Sequence, residues 1–371
     1  MGAIHSSSRL ALFVPPAFVP DEHGIVRLEE MFGQGLRYAT RGRWALYHIL
    51  RSLNVRGKVL IPAYLCGTVI EPLRKLGLSF GFFDIDPSDL NPCVDSLEFE
   101  IRRQEPSAIL FPSLYGLPAN ISRAEAICRE HDVRLIDDAA QAAGASLEGR
   151  WLGTFGDAGF ISFSPGKPLA GAMGAYWLCR EGQRQEARRR PASVWQRKLV
   201  WAAWEAHRYR AYQPDWRRLG GALRIVERMV CKWNDMADEG LCDFERPLLG
   251  GLVSALLDGR FAYRLQRWDE LAAVVPEGGA WRVLRSLRGH PHPHKLVLVA
   301  ERRQLARQLI MDLRQKGIAT LNGYASLCRD ERTVPNTLSI EERVVELPLE
   351  SNPERMAYLA DTLRPLLRES H

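Results

Sequence analysis

The sequence has no apolar run long enough to span a bilayer, no cysteine pair at redox or zinc spacing, and no internal repeat. A helical membrane span needs about 20 apolar residues, so none is expected. The seven cysteines (Cys66, Cys93, Cys128, Cys179, Cys231, Cys242, Cys328) are scattered and odd in number. Neither a disulfide framework nor a metal site is indicated, and reduced thiols in a cytoplasmic chain are the expected state. Charge of one sign is in little excess: 50 Lys+Arg against 44 Asp+Glu give +6. That balance points to anionic small molecules rather than long nucleic acid. Met1 to Pro20 carries a single Arg9 and an apolar patch broken by Pro15 and Pro16, a poor signal peptide. Met1-Gly2-Ala3-Ile4-His5-Ser6 does fit the loose myristoylation pattern.

With 371 residues, 46% hydrophobic and 25% charged, the chain can build two ordinary globular domains of roughly 100–200 residues each. From Arg41 to Arg180, strand-like and helix-like segments alternate. Helices are expected at 42–53, 68–76 and 123–131, and strands at 58–62, 78–84, 108–111, 133–137, 160–164 and 175–179. Such alternation implies a mostly parallel sheet, whose ligands sit at the carboxyl ends of the strands. A second unit follows His294, with strands at 295–299 and 344–347 and helices at 302–315 and 353–367. The expected division is an arm at 1–40, a large α/β domain at 41–245 and a smaller C-terminal α+β domain at 246–371.

Chemistry concentrates after two strands. One carries Asp137-Asp138-Ala139-Ala140-Gln141, and the other carries Ile161-Ser162-Phe163-Ser164-Pro165-Gly166-Lys167. A lysine held at a strand end and partly desolvated loses pKa and can form an imine. A carboxylate on a neighbouring strand would face it, and a cofactor with a protonatable ring nitrogen would pair that acid. Each residue also has a plain reading, Lys167 as a turn lysine and Asp138 as a helix cap.

Together the two segments resemble the DegT/StrS family of sugar aminotransferases, fold-type-I enzymes that use pyridoxal 5'-phosphate. Further stretches resemble that family in the same order: Leu60-Ile61-Pro62-Ala63-Tyr64, Phe83-Asp84-Ile85-Asp86-Pro87, Leu114-Tyr115-Gly116-Leu117-Pro118, Gly317-Ile318-Ala319-Thr320 and Glu346-Leu347-Pro348-Leu349. The resemblance implies that Lys167 carries the cofactor as a Schiff base and moves protons. It implies that Asp138 holds the pyridine nitrogen protonated, that Gln141 bonds the phenolic oxygen, and that Ser162 binds the phosphate. The family opens its first helix with a Gly-Thr pair at the phosphate. Here the pair is Gly42-Arg43, so Gly42 keeps the helix N-terminus open to an anion. Arg43 either pairs with the phosphate directly or is a solvated first-turn residue.

Other positions depart from the pattern. Cys66 stands where the family often stacks an aromatic on the ring; Tyr64 is a substitute or a core tyrosine. The family's Glu-Gly-Gly after the lysine reads Ala172-Met173-Gly174, and Asn234 is the one candidate for the asparagine that a neighbouring subunit supplies.

Residues 180–243 are basic and tryptophan-rich. From Arg180 to Lys232 fourteen Lys/Arg face five Asp/Glu, and Trp195, Trp201, Trp204, Trp216 and Trp233 are interspersed. Three readings stay open: a cover that grips a nucleotide diphosphate, an interfacial membrane helix, or an amphipathic helix packed on its own protein. Gly289-His290-Pro291-His292-Pro293-His294 reads as a histidine-bearing loop rather than a metal site.

The resemblance implies a homodimeric aminotransferase moving an amino group from L-glutamate to a nucleotide-linked keto-sugar. The family's dehydratase branch replaces the lysine with histidine, which Lys167 argues against. The alternative from another class is a non-catalytic scaffold, membrane-associated through its basic segment.

Overall fold

The computed structural model describes residues 20–368 apart from 22, 34, 165, 171–173 and 181–244. The basic tryptophan-rich segment, most of the N-terminal arm, Ala172, Met173 and Asn234 lie outside the described residues.

In chain order the large domain contains α1 (Gly24–Phe32), β1 (Arg37–Ala39), α2 (Gly42–Ser52), β2 (Lys58–Pro62), α3 (Ile70–Lys75), β3 (Ser79–Phe83), α4 (Val94–Gln104), β4 (Ala108–Pro112), α5 (Ile121–Glu130), β5 (Arg134–Asp138), a short hairpin of β6 (Ser146–Leu147) and β7 (Arg150–Trp151), β8 (Ala158–Ser162), β9 (Ala175–Cys179) and α6 (Glu245–Leu257). Seven strands form one sheet in the order β1-β9-β8-β5-β4-β2-β3. From β8 across to β3 all pairings are parallel, and β9 runs antiparallel to both of its neighbours. The central strand β4, Ala-Ile-Leu-Phe-Pro, is buried along its whole length, as a strand covered by helices on both faces must be. α2 buries Trp44, Ala45, Leu46, Ile49 and Leu50, the apolar stripe of an amphipathic helix.

The parallel strands end side by side. In register, Pro112 lies opposite Asp138, and Asp138 opposite Phe160; Ser162 pairs with Ala175. The strand expected at 160–164 ends two residues earlier, which puts Ser162 at the mouth of the sheet and starts the Ser164–Lys167 turn there.

The smaller domain contains α7 (Tyr263–Ala272), β10 (Trp281–Val283), β11 (Lys295–Ala300), α8 (Arg303–Gln315), β12 (Leu321–Asn322), α9 (Pro335–Ile340), β13 (Val344–Pro348) and α10 (Pro353–Arg368). Its sheet, β10-β11-β13-β12, is antiparallel. Alternation along β11 and β13 sorts the faces. Leu296, Leu298, Val345 and Leu347 pack with the helices, whereas Val297, Val299 and Val344 join the core of the large domain.

The expected boundary at 245/246 is not where the packing changes. Leu249, Leu252, Val253, Ala255 and Phe261 share a cluster with Ile25, Leu28 and Phe32 of α1, so α6 packs in the large domain, and the small-domain core begins with Trp268 and Leu271 of α7. α1 and β1, assigned to an arm by sequence, likewise complete the large domain.

Asp84, just past β3, joins the two units. Its Oδ2 accepts from the Asn336 N–H at 2.7 Å, and its Oδ1 accepts from the N–H (2.9 Å) and hydroxyl (2.7 Å) of Thr337. A carboxylate on the free N–H groups of a first turn caps that helix, here from another domain. A backbone bridge between Tyr64 and Ser326 and a 2.9 Å bond from Leu327 N–H to the Ala63 carbonyl add a second seam.

Candidate active site

Two adjacent carboxylates end β5, and strand alternation sends them to opposite sides. Asp137 Oδ2 accepts from the N–H groups of Gly153 (2.6 Å) and Phe155 (3.1 Å), which makes it an anchor for the loop after β7. Burial pushes its carboxyl up to about 7 despite those bonds. Asp138 is 5% exposed, and its Oδ1 accepts from the Ala140 N–H at 2.9 Å. Burial raises its carboxyl, and the ammonium of Lys167 pulls it back down.

Lys167 sits in the turn after β8, with its N–H bonded to the Ser164 carbonyl at 3.2 Å. Burial holds its ammonium below the usual range, against the pull of Asp138; Cys66 and Glu346 also favour the charged form, and Lys295 opposes it. The sheet thus brings the expected lysine and carboxylate close enough for each to act on the other's charge.

Ser162 and Ser164 hydroxyls lie 3.2 Å apart, and the Ser164 N–H points at Ser162 Oγ at 3.3 Å. The N-terminus of α2 carries no side-chain cap and abuts this pair. A Cβ on Gly42 would lie 3.4 Å from the Phe160 ring and 3.6 Å from Ser162 Oγ. Backbone amides and two hydroxyls together suit an anion. Arg43 turns elsewhere, forming a 2.5 Å ion pair with Glu71.

Tyr64 occupies the core position of its two readings. It is fully buried, its hydroxyl meets that of Tyr115 at 2.7 Å, and its ring stands edge-on to Tyr324. Cys66 is half-buried, with its thiol 3.2 Å from the Thr68 hydroxyl.

Gln141 is 5% exposed and bonds through Nε2 to the Tyr324 hydroxyl, while its Oε1 is buried without a partner. Burial pushes the Tyr324 hydroxyl well above its usual range and keeps it neutral. The small domain supplies an ion pair as well. Lys295 Nζ meets Glu346 Oε2 at 2.6 Å, both nearly sealed from solvent, and the same ammonium lies 5.3 Å from the Tyr115 ring centre.

Sequence reading missed Tyr324 and the Lys295–Glu346 pair. The available signal was Glu346 itself, a carboxylate inside the apolar run Val344-Val345-Glu346-Leu347. Two of the three loop histidines are also buried. His292 Nδ1 meets the Ala143 carbonyl at 2.7 Å, and burial holds its ring down to about 3. Among the described residues no group of three potential metal ligands gathers.

Residues 39–189 match the model of the DegT/DnrJ/EryC1/StrS aminotransferase family, bearing out the resemblance over that stretch. A UDP-N-acetyl-3-dehydro-alpha-D-glucosamine 3-aminotransferase of Acidithiobacillus ferrooxidans is 34% identical over 133 residues, covering 35% of this chain and 36% of that protein. A GDP-4-keto-6-deoxy-D-mannose 3-dehydratase of Yersinia pseudotuberculosis is 33% identical over 119 residues, covering 32% of this chain and 30% of the relative. The chain therefore aligns with about a third of each of these relatives. A DegT/DnrJ/EryC1/StrS aminotransferase from Brucella abortus, known by crystal structure, superposes with a TM-score of 0.69 at 19% identity, over 94% of this chain and 91% of that one. That likeness shows the fold: the fold-type-I architecture, with a mostly parallel large domain and a smaller α+β domain.

Proposed function

We propose that the protein is a pyridoxal-phosphate-dependent aminotransferase that moves an amino group, from L-glutamate, to a nucleotide-linked keto-sugar. The observation that carries this reading is Lys167, partly desolvated at the end of β8, electrostatically paired with Asp138 at the end of the adjacent β5. The residues present fit the cofactor. Asp138 is a buried carboxylate for a protonated ring nitrogen, Gln141 has an unpartnered buried oxygen, and an uncapped helix N-terminus lies beside Ser162 and Ser164.

When bound, pyridoxal phosphate supplies a ring that accepts the electron pair released when a proton leaves the donor carbon. The chain does the rest. Lys167, with its amine held below the usual range, is free to act as nucleophile and then to carry a proton from one carbon to the other. Asp138 keeps the ring nitrogen protonated. The first amides of α2 with Ser162 and Ser164 hold the phosphate, and Arg43, engaged by Glu71, is left out of that set. From the small domain, Lys295 and Glu346 act on the charge of Lys167, and Tyr324 bonds Gln141.

The relative from Acidithiobacillus, named for a UDP-linked keto-sugar, supports the acceptor class. Lys167 favours transamination over the dehydration named for the Yersinia relative. We further propose a cytoplasmic homodimer that works in surface-polysaccharide or secondary-metabolite synthesis. The five described cysteines are unbonded, and among the described residues no helix is long and apolar enough to cross a membrane.

An absorbance spectrum of the purified protein with pyridoxal phosphate, before and after L-glutamate, tests the reading. A visible band that bleaches with glutamate and is absent in Lys167→Ala is expected. A chain that stays colourless with added cofactor overturns the reading and leaves the scaffold.

A further inference from the structure

Tyr324 reaches Gln141 from 183 positions further along the chain, out of the small domain. Its ring is fixed on one side by Tyr64, edge-on at 5.5 Å between centres. The neighbouring residue must be glycine, because a Cβ on Gly323 would fall 1.9 Å from the Tyr64 hydroxyl. Tyr64 is in turn held by Tyr115. The phenol of Tyr324 is therefore a placed group, set against the amide that faces the expected cofactor.

A carboxamide has a donor end and an acceptor end, and a hydroxyl can serve either. With Gln141 Nε2 donating to Tyr324, Oε1 is left buried and unpartnered. That arrangement suits a phenol that donates. A half-turn of the amide exchanges the ends: Tyr324 then donates to Oε1, satisfying it, and the NH2 turns to where a phenolate oxygen would accept. A buried unpartnered polar atom costs free energy, so each state of the ligand selects the matching amide orientation.

We propose that Tyr324 is a positioning residue that orients the Gln141 carboxamide toward the phenolic oxygen of the cofactor, so that the small domain sets the basicity of that oxygen. This rests on the function proposed above. No other residue of the small domain is seen bonded to Gln141 among the described residues. Removing the hydroxyl takes away the donor that satisfies Oε1 when the NH2 faces a phenolate, so that orientation leaves a buried oxygen without a partner and the phenolate state is disfavoured.

The test is a pH titration of the visible band of the cofactor-loaded protein, for wild type, Tyr324→Phe, Gln141→Ala and the double variant. Tyr324→Phe is expected to raise the apparent pKa of the band by about one unit, the scale of one hydrogen bond to a charged group. In the Gln141→Ala background the same change is expected to add nothing, because the effect runs through the amide. A Tyr324→Phe band that titrates with wild type overturns the inference. So does a shift of equal size in both backgrounds, which would make Tyr324 a generic packing residue. A wild-type protein without a band overturns the aminotransferase reading itself, a different outcome from either. Thermal melts of all four proteins show whether the fold survives. If Tyr324→Phe does not fold, Tyr324→His, which keeps a donor, must titrate like wild type for the inference to stand.

Discussion

Lys295 and Glu346 meet at 2.6 Å on neighbouring antiparallel strands of the small sheet, each about 5% exposed, with the ammonium beside the Tyr115 ring of the large domain. Such a pair gains Coulomb energy but has lost the hydration of both ions, so its net contribution is small and its halves are costly alone. Lys295→Met is expected to destabilise the protein by about 3–5 kcal/mol, and Lys295→Met with Glu346→Leu by clearly less. Urea unfolding of the single and double variants measures both.

Removing the carboxylate of Asp84 uncaps α9 across the domain seam. Asp84→Ala forfeits three hydrogen bonds from Asn336 and Thr337 and is expected to cost about 2 kcal/mol or more. The same unfolding assay checks it, and Thr337→Val, which removes only the hydroxyl bond, should incur only part of that loss.

Asp138→Asn keeps the volume and the acceptor for Ala140 N–H but removes the charge. The variant is expected to bind cofactor and transfer amino groups about a hundredfold or more slowly, the scale of one lost preorganised electrostatic partner. Single-turnover bleaching with L-glutamate separates the two effects. Unchanged turnover would remove Asp138 from the proposed chemistry.

Asp137 gives a pH dependence whose sign can be worked out. Its carboxyl is pushed up to about 7 in the folded chain from an ordinary value near 3.8. Between those values the folded state holds a proton that the unfolded state has released, so stability falls as pH rises through that window. The full effect is up to about 4 kcal/mol at 1.36 kcal/mol per unit. Buried His292, held down to about 3, tilts the curve the other way below about 6.5, where the unfolded ring gains a proton that the folded one refuses. The difference between wild type and Asp137→Asn isolates the carboxylate, and it should grow from pH 4 to pH 8.

Where a local pattern determines structure, the sequence was readable. The α2 stripe, the apolar β4 and the strand ends at Asp138 and Ser162 came within two residues of their places. Lys167 and Asp138 were legible because parallel-sheet topology gathers whatever follows its strands. What escaped depends on contacts distant in sequence. Lys295 opens a strand and reads as its solvated end until Glu346, fifty-one positions away, is seen beside it. Tyr324 lies in a segment without periodicity, and α6 was assigned by position rather than by its packing against α1. Tyr64 and Arg43 each allowed two readings, and only their neighbours decide: Tyr115 for the first, Glu71 for the second.

One apolar cluster takes Ile61, Leu110 and Ile136 from the large sheet and Val297, Val299 and Val344 from the small one. The two sheets are therefore expected to melt together rather than as separate bodies. Detaching the small sheet would expose both halves of that cluster to water at once, so the free-energy cost of opening it is shared by the whole chain. A protease cut near Ala262, where the cores change hands, would release two fragments that each lack the surface completing their fold. The division that organises the chemistry does not mark out a unit that is stable alone.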